Sequence, residues 1–318
     1  MLFRSTCIVI TGCNTFFPTQ NSGVQTYTNA GKAAYHAMTI SLRRTVSNGW
    51  GYDFNYTWSH AIDNGSGAEG FDPLGNSSNI AGFASGITEL QNAFCPNCGL
   101  GPADYDARHQ ITANAIVELP VGKGKHFANN VPKWADQIIG GWQVSTLYAF
   151  HTGQPLACSG SGMYNTNYDY SSLCVLAPGV ASVPANGLTF DQLGIPSLFS
   201  NTSAGNSFVP AASGEVGTRG IIRGLNFWNT DVAVSKFFKL PKENMRLQFR
   251  AEAYNVFNHE NFANPSTGTN TNLSIVQQPG VTTTGTYAAY GSATFGEITA
   301  TNTASAPRVL QLALRFEF

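Results

Sequence analysis

Charged residues are scarce in this chain. Asp, Glu, Lys and Arg together make up 11% of its 318 residues, whereas soluble proteins average about a quarter. Long hydrophobic runs are also missing, because no stretch approaches the roughly 18 consecutive apolar residues of a transmembrane helix. A formal net charge of −1 gives no basic surface that would indicate nucleic-acid binding. These absences argue against a helical membrane protein, an ordinary soluble domain and a partner of DNA or RNA.

Glycine and aromatic side chains are abundant instead. The chain has 33 glycines and 21 phenylalanines, yet its mean hydropathy is only −0.10. Apolar residues must therefore be spread among polar ones rather than collected in runs. This combination is typical of an all-β protein, and it fits an outer-membrane β-barrel well.

The last eleven residues carry the clearest pattern. Leu310, Leu312, Leu314, Phe316 and Phe318 alternate with polar or small residues, which predicts a strand with one apolar face and one polar face. A soluble sandwich can end on such a strand. A transmembrane barrel strand, which needs about 9–11 tilted residues, is the alternative.

Six further segments alternate in the same way, and their spacing favours the barrel. The seven predicted strands are 35–44, 51–59, 109–119, 142–150, 229–238, 246–256 and 308–318. Three long connections, about 61–106, 152–226 and 258–306, show no sustained period and are predicted to be irregular loops. They alternate along the chain with shorter connections, so all long loops fall on one side of a membrane. Outer-membrane barrels have this arrangement, with short periplasmic turns and long extracellular loops.

Several segments resemble the C-terminal barrel of TonB-dependent outer-membrane receptors, in particular the Oar-like subgroup whose members carry a carboxypeptidase-regulatory-like domain. The segments are NYTWSHAIDN (55–64), DYDARHQITANAIVELPVGKGK (104–125), GGWQVSTLYAFHTGQPL (140–156), QFRAEAYNVFNHENF (248–262) and FGEITAT with PRVLQLALRFEF (295–318). The resemblance covers residues 21–318 and leaves 1–20 unassigned. We therefore expect an antiparallel transmembrane β-barrel segment of seven or eight strands, with long extracellular loops, from a larger barrel.

The resemblance implies the function of a transporter rather than an enzyme, without a cofactor. Such receptors form a barrel of about 22 strands, filled by a plug and coupled through a TonB box to an inner-membrane motor. The sequence shows neither plug nor TonB box, so we expect a fragment, a split gene or a remnant. The expected partners are outer-membrane lipid, the barrel-assembly machinery and, through the missing part, the TonB system. A bulky ligand would be recognised by the long loops; its identity stays open.

Two sets of residues follow from that resemblance and from the strand pattern. The final strand is expected to be the signal that the assembly machinery recognises, carried by Leu312, Leu314, Phe316 and Phe318. The charged residues predicted to face the lumen are Arg246, Arg250, Glu252, Arg315 and Glu317. These charges can stiffen the wall and contact a plug, or they can line a polar path. We favour the first interpretation, because opposite charges on neighbouring strands attract.

Acidic and histidine residues collect where strands meet the first long loop. His60 with Asp63, and Asp104 with Asp106, Arg108 and His109, could be drawn as acid–base pairs. We adopt the simpler interpretation that these are ordinary polar residues of a loop exposed to water. A calcium site formed by Asp63, Asp72, Asp104 and Asp106 is the other alternative, but the spacing matches no EF-hand loop.

The six cysteines all lie outside the predicted strands. CPNC at 95–98 lacks the second CxxC or the βαβ context of a zinc or redox site, so loop disulfides in an oxidising compartment are favoured. We predict that Cys158 and Cys174 pair within the second long loop. The pairing of Cys7, Cys13, Cys95 and Cys98 is left open.

The N-terminus resembles a short targeting segment, with Arg4, an apolar run and Cys13. The run is shorter than the 7–15 apolar residues of a signal peptide, and we expect a fragment or an internal start instead. Two functions from different classes therefore compete. The first is the barrel portion of a TonB-dependent transporter, and the second is a secreted or cell-surface β-sandwich that binds carbohydrate.

Overall fold

The structure, a computed structural model, describes most of the chain. The described residues are 29–66, 95–156, 158–164, 171–190, 194–200, 204–211, 215–240, 245–265, 274–276, 295–302 and 304–318. The N-terminal stretch 1–20, with Cys7 and Cys13, lies outside them. Within these ranges, no helix has both the length and the apolar character needed to cross a membrane.

Strands dominate the described residues. They are β1 (Ala33–Ser47), β2 (Trp50–Asp63), β3 (Gly101–Pro102), β4 (His109–Glu118), β5 (Trp142–His151), β6 (Pro155–Leu156), β7 (Ser159–Tyr164), β8 (Ser171–Leu176), β9 (Asn186–Phe190), β10 (Pro196–Phe199), β11 (Phe208–Pro210), β12 (Ile222–Arg223), β13 (Phe227–Lys239), β14 (Arg246–Tyr254), β15 (Ser274–Val276) and β16 (Val309–Glu317). One α-helix, α1 (Lys133–Ile139), and two 3-10 helices, Pro96–Gly99 and Ala204–Ser207, accompany them.

Seven long strands form one antiparallel sheet in the order β1-β2-β4-β5-β13-β14-β16, with the short β3 added beside β2. These seven strands are the seven that alternation predicts, and each pairs with its neighbour along the chain. The sheet is open. Within the described residues, β1 and β16 each have one edge without a partner strand.

The strand register gathers the apolar residues on one face. Met38 lies opposite Trp58, and Ile40 lies opposite Tyr56. On the other face, polar partners meet, and Ser41 donates a hydrogen bond of 2.7 Å to Asn55. Because a one-residue slip would exchange the two faces, this pattern fixes the register.

The side chains of the apolar face are exposed, and this contradicts the β-sandwich. Leu310, Leu312 and Leu314 are 72%, 73% and 70% exposed. In a sandwich these side chains would be covered by a second sheet about 10 Å away, and no such sheet lies among the described residues. An outer-membrane barrel presents such a face to lipid.

The first short connection, between β1 and β2, is a tight turn. Asn48 and Gly49, which join β1 to β2, have φ angles of 54° and 84°. Asn and Gly adopt this left-handed conformation readily, and two consecutive such residues suit a two-residue hairpin. The connection β13–β14 is also short, whereas β4 and β5 are joined through α1.

The described parts of the long loops contain short strands, mostly between residues 152 and 226, and there the prediction that the loops are irregular is wrong. Besides β3, they contain small sheets of the strands β9 with β10, β6 with β12, and β7, β8, β11 and β15. They also form a hydrophobic core: Leu156, Cys158, Cys174, Leu198, Phe199, Ala204, Phe208, Ile222 and Phe295 are buried together. We call this unit the extracellular cap. Its strands are two to six residues long, too short to show a hydrophobic period.

The second and third long loops meet in the core of the cap. Phe295 stacks on Phe199 with ring centroids 5.7 Å apart, and it lies 5.5 Å from Phe208. Cys158 and Cys174, both fully buried, form a disulfide, which is the pairing that the sequence predicts. Cys95 and Cys98 form a second disulfide.

Candidate functional site

A buried cluster of opposite charges joins the first long loop to the second, at the extracellular end of the sheet. Arg219, 4% exposed, reaches from the second loop to Asp63 at the end of β2. Its Nη1 lies 2.7 Å from Asp63 Oδ1 and donates to the Asp63 carbonyl oxygen at 2.6 Å. Its Nη2 donates to Ser66 Oγ at 2.6 Å and lies 3.7 Å from Asp104 Oδ1. One guanidinium is thus shared by two buried carboxylates.

A second arginine of the same loop holds Asp106. Arg223 Nη2 donates to Asp106 Oδ2 at 2.6 Å, and its Nη1 donates to the Asp106 carbonyl oxygen at 2.8 Å. Arg108 Nε lies 3.0 Å from the same carboxylate, His60 Nδ1 lies 3.4 Å away, and the Ala61 N–H donates to Oδ1 at 2.7 Å. We refer to the two groups together as the arginine–aspartate clasp. It ties residues more than 100 positions apart in the sequence.

The pKa values of Asp104 and Asp106, in the two halves of the clasp, are shifted in opposite directions. Burial raises the pKa of Asp104 to about 6; Arg219 opposes this rise, and the neighbouring Asp63 adds to it. Burial also disfavours the charged form of Asp106. There the Ala61 N–H, Arg223 and His60 outweigh burial and hold the pKa below its usual range. Asp104 is therefore easier to protonate than Asp106.

This geometry corrects the interpretation of these residues as solvated loop polarity. Asp63, Asp104 and Asp106 are 3%, 7% and 1% exposed. The partners also differ from the acid–base pairs suggested by sequence: His60 lies beside Asp106, and Asp104 lies beside Arg219. His109 belongs to neither group, since its Nδ1 lies 2.8 Å from the Tyr56 hydroxyl. Asp72, the fourth member of the calcium alternative, lies outside the described residues.

Sequence reasoning missed Arg219 and Arg223, the two residues that organise the clasp. They lie in the segment GTRGIIRG (217–224), where a glycine follows each arginine. Glycine allows close approach of another chain segment, and Gly101 lies against Arg219: a Cβ added there would be 2.7 Å from the Arg219 Cβ. Arginines followed by glycines in a charge-poor loop were the available signal.

We expect Asp104→Asn to stabilise the cap at neutral pH. A carboxyl whose pKa is higher in the folded state favours folding most at low pH. That contribution is complete below the usual pKa of 3.8 and is lost once the pH passes about 6. Ionised Asp104 thus destabilises the cap at pH 7.5 by up to about 3 kcal/mol, which the amide avoids.

Hydrogen exchange of the cap at pH 7.5 and near pH 4 measures this effect, after correction for intrinsic exchange rates. The protection gained by Asp104→Asn should be large at pH 7.5 and small near pH 4. Asp106→Asn is the matched control, two residues away, and it should lower protection at pH 7.5 because Asp106 is stabilised as an anion. A loss of protection in Asp104→Asn at pH 7.5 would contradict the assigned cause.

The predicted lumen-facing charges share one face of β14 and β16, opposite the leucines. Arg246 Nη2 lies 2.8 Å from Glu317 Oε2 on the neighbouring strand. Arg315 Nε lies 3.5 Å from Glu317 Oε1, and Arg250 pairs with Glu252 two residues along. The pairs run along strands as well as between them. One pair joins the two strands and two run along a strand, so wall stiffening and contact with a plug both stay predictions.

A cavity of about 450 Å³ lies beside the clasp. Phe150 and Trp228, cross-strand partners on the apolar face, form part of its lining, and the His259 ring stacks on Trp228 at 4.0 Å. Burial lowers the pKa of His259, against the opposing effect of Glu260, and so favours its neutral form. The lining of the cavity includes Phe150 and Trp228 of the apolar face and none of the paired charges of β14 and β16.

The other residues singled out by sequence have simpler surroundings. Phe318 is 96% exposed and its ring lies 6.0 Å from that of Phe316. In the described part of the chain, no group of three His, Cys, Asp or Glu side chains could hold a metal ion.

Comparison with known proteins gives one informative match. Residues 7–311 match a family model described as an outer membrane beta barrel domain. No curated protein and no solved structure matches the chain. The family match covers nearly the whole chain, and it agrees with an antiparallel sheet that is apolar on one face and has long loops at one end. The chain therefore belongs to the outer membrane beta barrel domain family and is a protein of the bacterial outer membrane.

Proposed function

We propose that this chain is the C-terminal barrel portion of a TonB-dependent outer-membrane transporter that imports a bulky ligand, and that it has no catalytic role. The observation that carries the proposal is the open sheet with a charged face. Two of the seven strands, β14 and β16, present paired arginines and glutamates on the face opposite the leucines. Two strand edges, on β1 and β16, have no partner among the described residues.

The open edges favour a large barrel. An unpaired strand edge in lipid leaves backbone groups unsatisfied, at several kcal/mol each, so further strands must complete the wall. A barrel of only eight strands has an interior filled by its own side chains. Long charged residues such as Arg250 and Arg315, whose side chains are 51% and 73% exposed, suit a wider lumen that holds a plug. The sequence segments that resemble TonB-dependent receptors, and the Oar-like subgroup among them, point to the same class.

The extracellular cap supplies the surface on which a ligand would first land. It has a hydrophobic core, a disulfide and the arginine–aspartate clasp, so its described segments are held together before any ligand arrives. A preorganised surface loses less conformational entropy on binding than free loops would. The TonB system and the barrel-assembly machinery are the partners that this function requires.

The proposal is tested in native membranes with an antibody against residues 120–130, which lie in the β4–β5 connection. We expect the antibody to detect a polypeptide or complex much larger than the 34.0 kDa of this chain, containing a plug. That species should crosslink to TonB in energised cells and lose the crosslink when the TonB box is deleted. A stable species of 34.0 kDa that never crosslinks to TonB would contradict the proposal.

A further inference from the structure

The helix α1, at the short-connection end of the sheet, exposes large apolar side chains. Trp134 is 70% exposed and Ile138 is 60% exposed. Residues four apart lie on the same face of a helix, so the two side chains form one patch directed away from the protein. Phe127, in the same β4–β5 connection, is 58% exposed. The helix spans seven residues, too few to cross a membrane.

Two side chains of the apolar face hold the C-terminal end of α1. Lys236 Nζ donates to the carbonyl oxygens of Ile138 at 3.0 Å and Gly140 at 2.5 Å. The Trp142 Nε1–H donates to the same Ile138 carbonyl oxygen at 2.9 Å. Carbonyls at a helix C-terminus lack partners within the helix, and these donors satisfy them.

The position of these donors places the helix outside the barrel wall. Lys236 and Trp142 are cross-strand partners. Each lies two residues along its strand from a valine, Val234 or Val144, and therefore on the same apolar face. Lys236 is only 3% exposed although it belongs to a face that contacts lipid. The end of α1 therefore rests on the lipid-facing side of the sheet, where the apolar band ends at the periplasmic side.

Lysines accompany this apolar patch. The segment after β4 packs against the helix, because the Lys123 N–H donates to Asp136 Oδ1 at 2.6 Å, and a Cβ added to Gly122 would lie 2.9 Å from the Gly140 Cα. Lys123, Lys125 and Lys133 have exposed side chains, and Lys125 pairs with Glu118 at 3.5 Å. Exposed aromatic and aliphatic residues beside lysines are the pattern of an interfacial helix.

We propose that α1 is an anchor that lies in the periplasmic leaflet of the outer membrane, with Trp134 and Ile138 inserted at the level of the phospholipid headgroups. Lys123 and Lys133 face anionic phospholipid. The occupant is lipid because the patch continues the apolar band of the sheet, which lipid already covers. Tryptophan favours this boundary, since its ring is apolar and its N–H can still reach water or headgroups.

The test uses the full chain reconstituted in phosphatidylcholine and phosphatidylglycerol vesicles whose acyl chains carry bromine, a quencher of tryptophan fluorescence. Subtracting the Trp134→Phe spectrum from that of wild type isolates the emission of Trp134. Trp58, 52% exposed on the apolar face at the other end of the sheet, gives the matched signal through Trp58→Phe. Samples are taken as inserted when the Trp58 emission is quenched.

In inserted samples we expect Trp134 to emit at shorter wavelength than water-exposed tryptophan and to lose most of its intensity to bromine placed near the headgroups. Acrylamide in the aqueous phase should have little effect on it. Trp134 emission at long wavelength, quenched by acrylamide and unaffected by brominated lipid, would overturn the proposal. So would a signal that becomes protected only when periplasmic proteins are added.

Lys236→Met tests how the helix is held. It removes the donor to Ile138 and Gly140 while keeping an apolar side chain on the lipid-facing side. Measured with and without Trp134→Phe, this variant should shift the Trp134 emission toward that of water-exposed tryptophan and leave the Trp58 signal unchanged. An unchanged Trp134 signal would show that Lys236 does not position the helix, and the proposed attachment would be wrong.

Discussion

Replacing Arg219 with methionine is expected to open the extracellular cap. Arg219 is buried with Asp63 and Asp104, and its removal leaves two carboxylates without their shared cation. Breaking a buried ion pair from one side typically destabilises by about 3–5 kcal/mol. The opening equilibrium of the cap should rise accordingly, by a factor of about 150 to 5,000. Hydrogen exchange in the segments 95–108 and 215–223, with the protein in detergent micelles, measures that opening.

Two further variants test whether the effect of Arg219→Met comes from the buried charges or from lost packing. One removes an exposed arginine, and the other removes the carboxylate charges together with Arg219. Arg43→Ala removes an arginine whose side chain is 80% exposed and lies 3.8 Å from Asp53; an exposed pair of this kind contributes at most about 1 kcal/mol. The triple variant Arg219→Met with Asp63→Asn and Asp104→Asn also removes the two carboxylate charges that Arg219 faces, and it should recover much of the lost protection. Equal protection in the Arg219 variant and the wild type would show that the clasp does not hold the cap.

Deleting Phe318 is expected to impair assembly far more than stability. Phe318 is 96% exposed, and the ring contact it makes in the described residues is with Phe316. Its loss from a finished barrel should therefore change stability by no more than a few kcal/mol. During assembly, however, β16 offers an unpaired edge and an apolar face, which are the features that a strand-pairing partner recognises.

Val232→Ala is the matched comparison for the Phe318 deletion. Val232 lies in the middle of β13, paired with Thr146 and Ala253, and its truncation has a similar or smaller thermodynamic effect. With the rest of the barrel supplied, quantitative immunoblots of purified outer membranes should show a small fraction of the wild-type level for the deletion and near-normal levels for Val232→Ala. Equal levels would mean that Phe318 contributes packing alone.

The long strands could be predicted from sequence because their information is local. In β2, for instance, aromatic residues recur at every second position from Tyr52 to Trp58, and one face of the strand contacts lipid while the other stays polar. The period of two is therefore visible within a single segment. The short turn at Asn48 and Gly49 was readable for the same reason.

The cap and the clasp could not be predicted, because they depend on contacts between distant residues. Arg219 lies 156 residues from Asp63, and nothing beside either residue indicates the other. The helix α1 escaped prediction for a different reason. Its seven residues follow Pro132 within a link where neither a helical nor a strand period can be recognised. The presence of Lys236 on the apolar face is explained by its hydrogen bonds to carbonyl oxygens at the end of that helix.

The sheet is expected to span the outer membrane with its long loops outside. A peptide tag inserted at Gly179, an exposed position of the cap, and one at Gly124, an exposed position of the β4–β5 connection, test it directly. In intact cells an antibody should reach the tag at Gly179, whereas the tag at Gly124 should become accessible only after the outer membrane is permeabilised. The protein should stay with the membrane during carbonate extraction. Antibody access to the Gly124 tag in intact cells, or release of the protein by carbonate, would contradict the account.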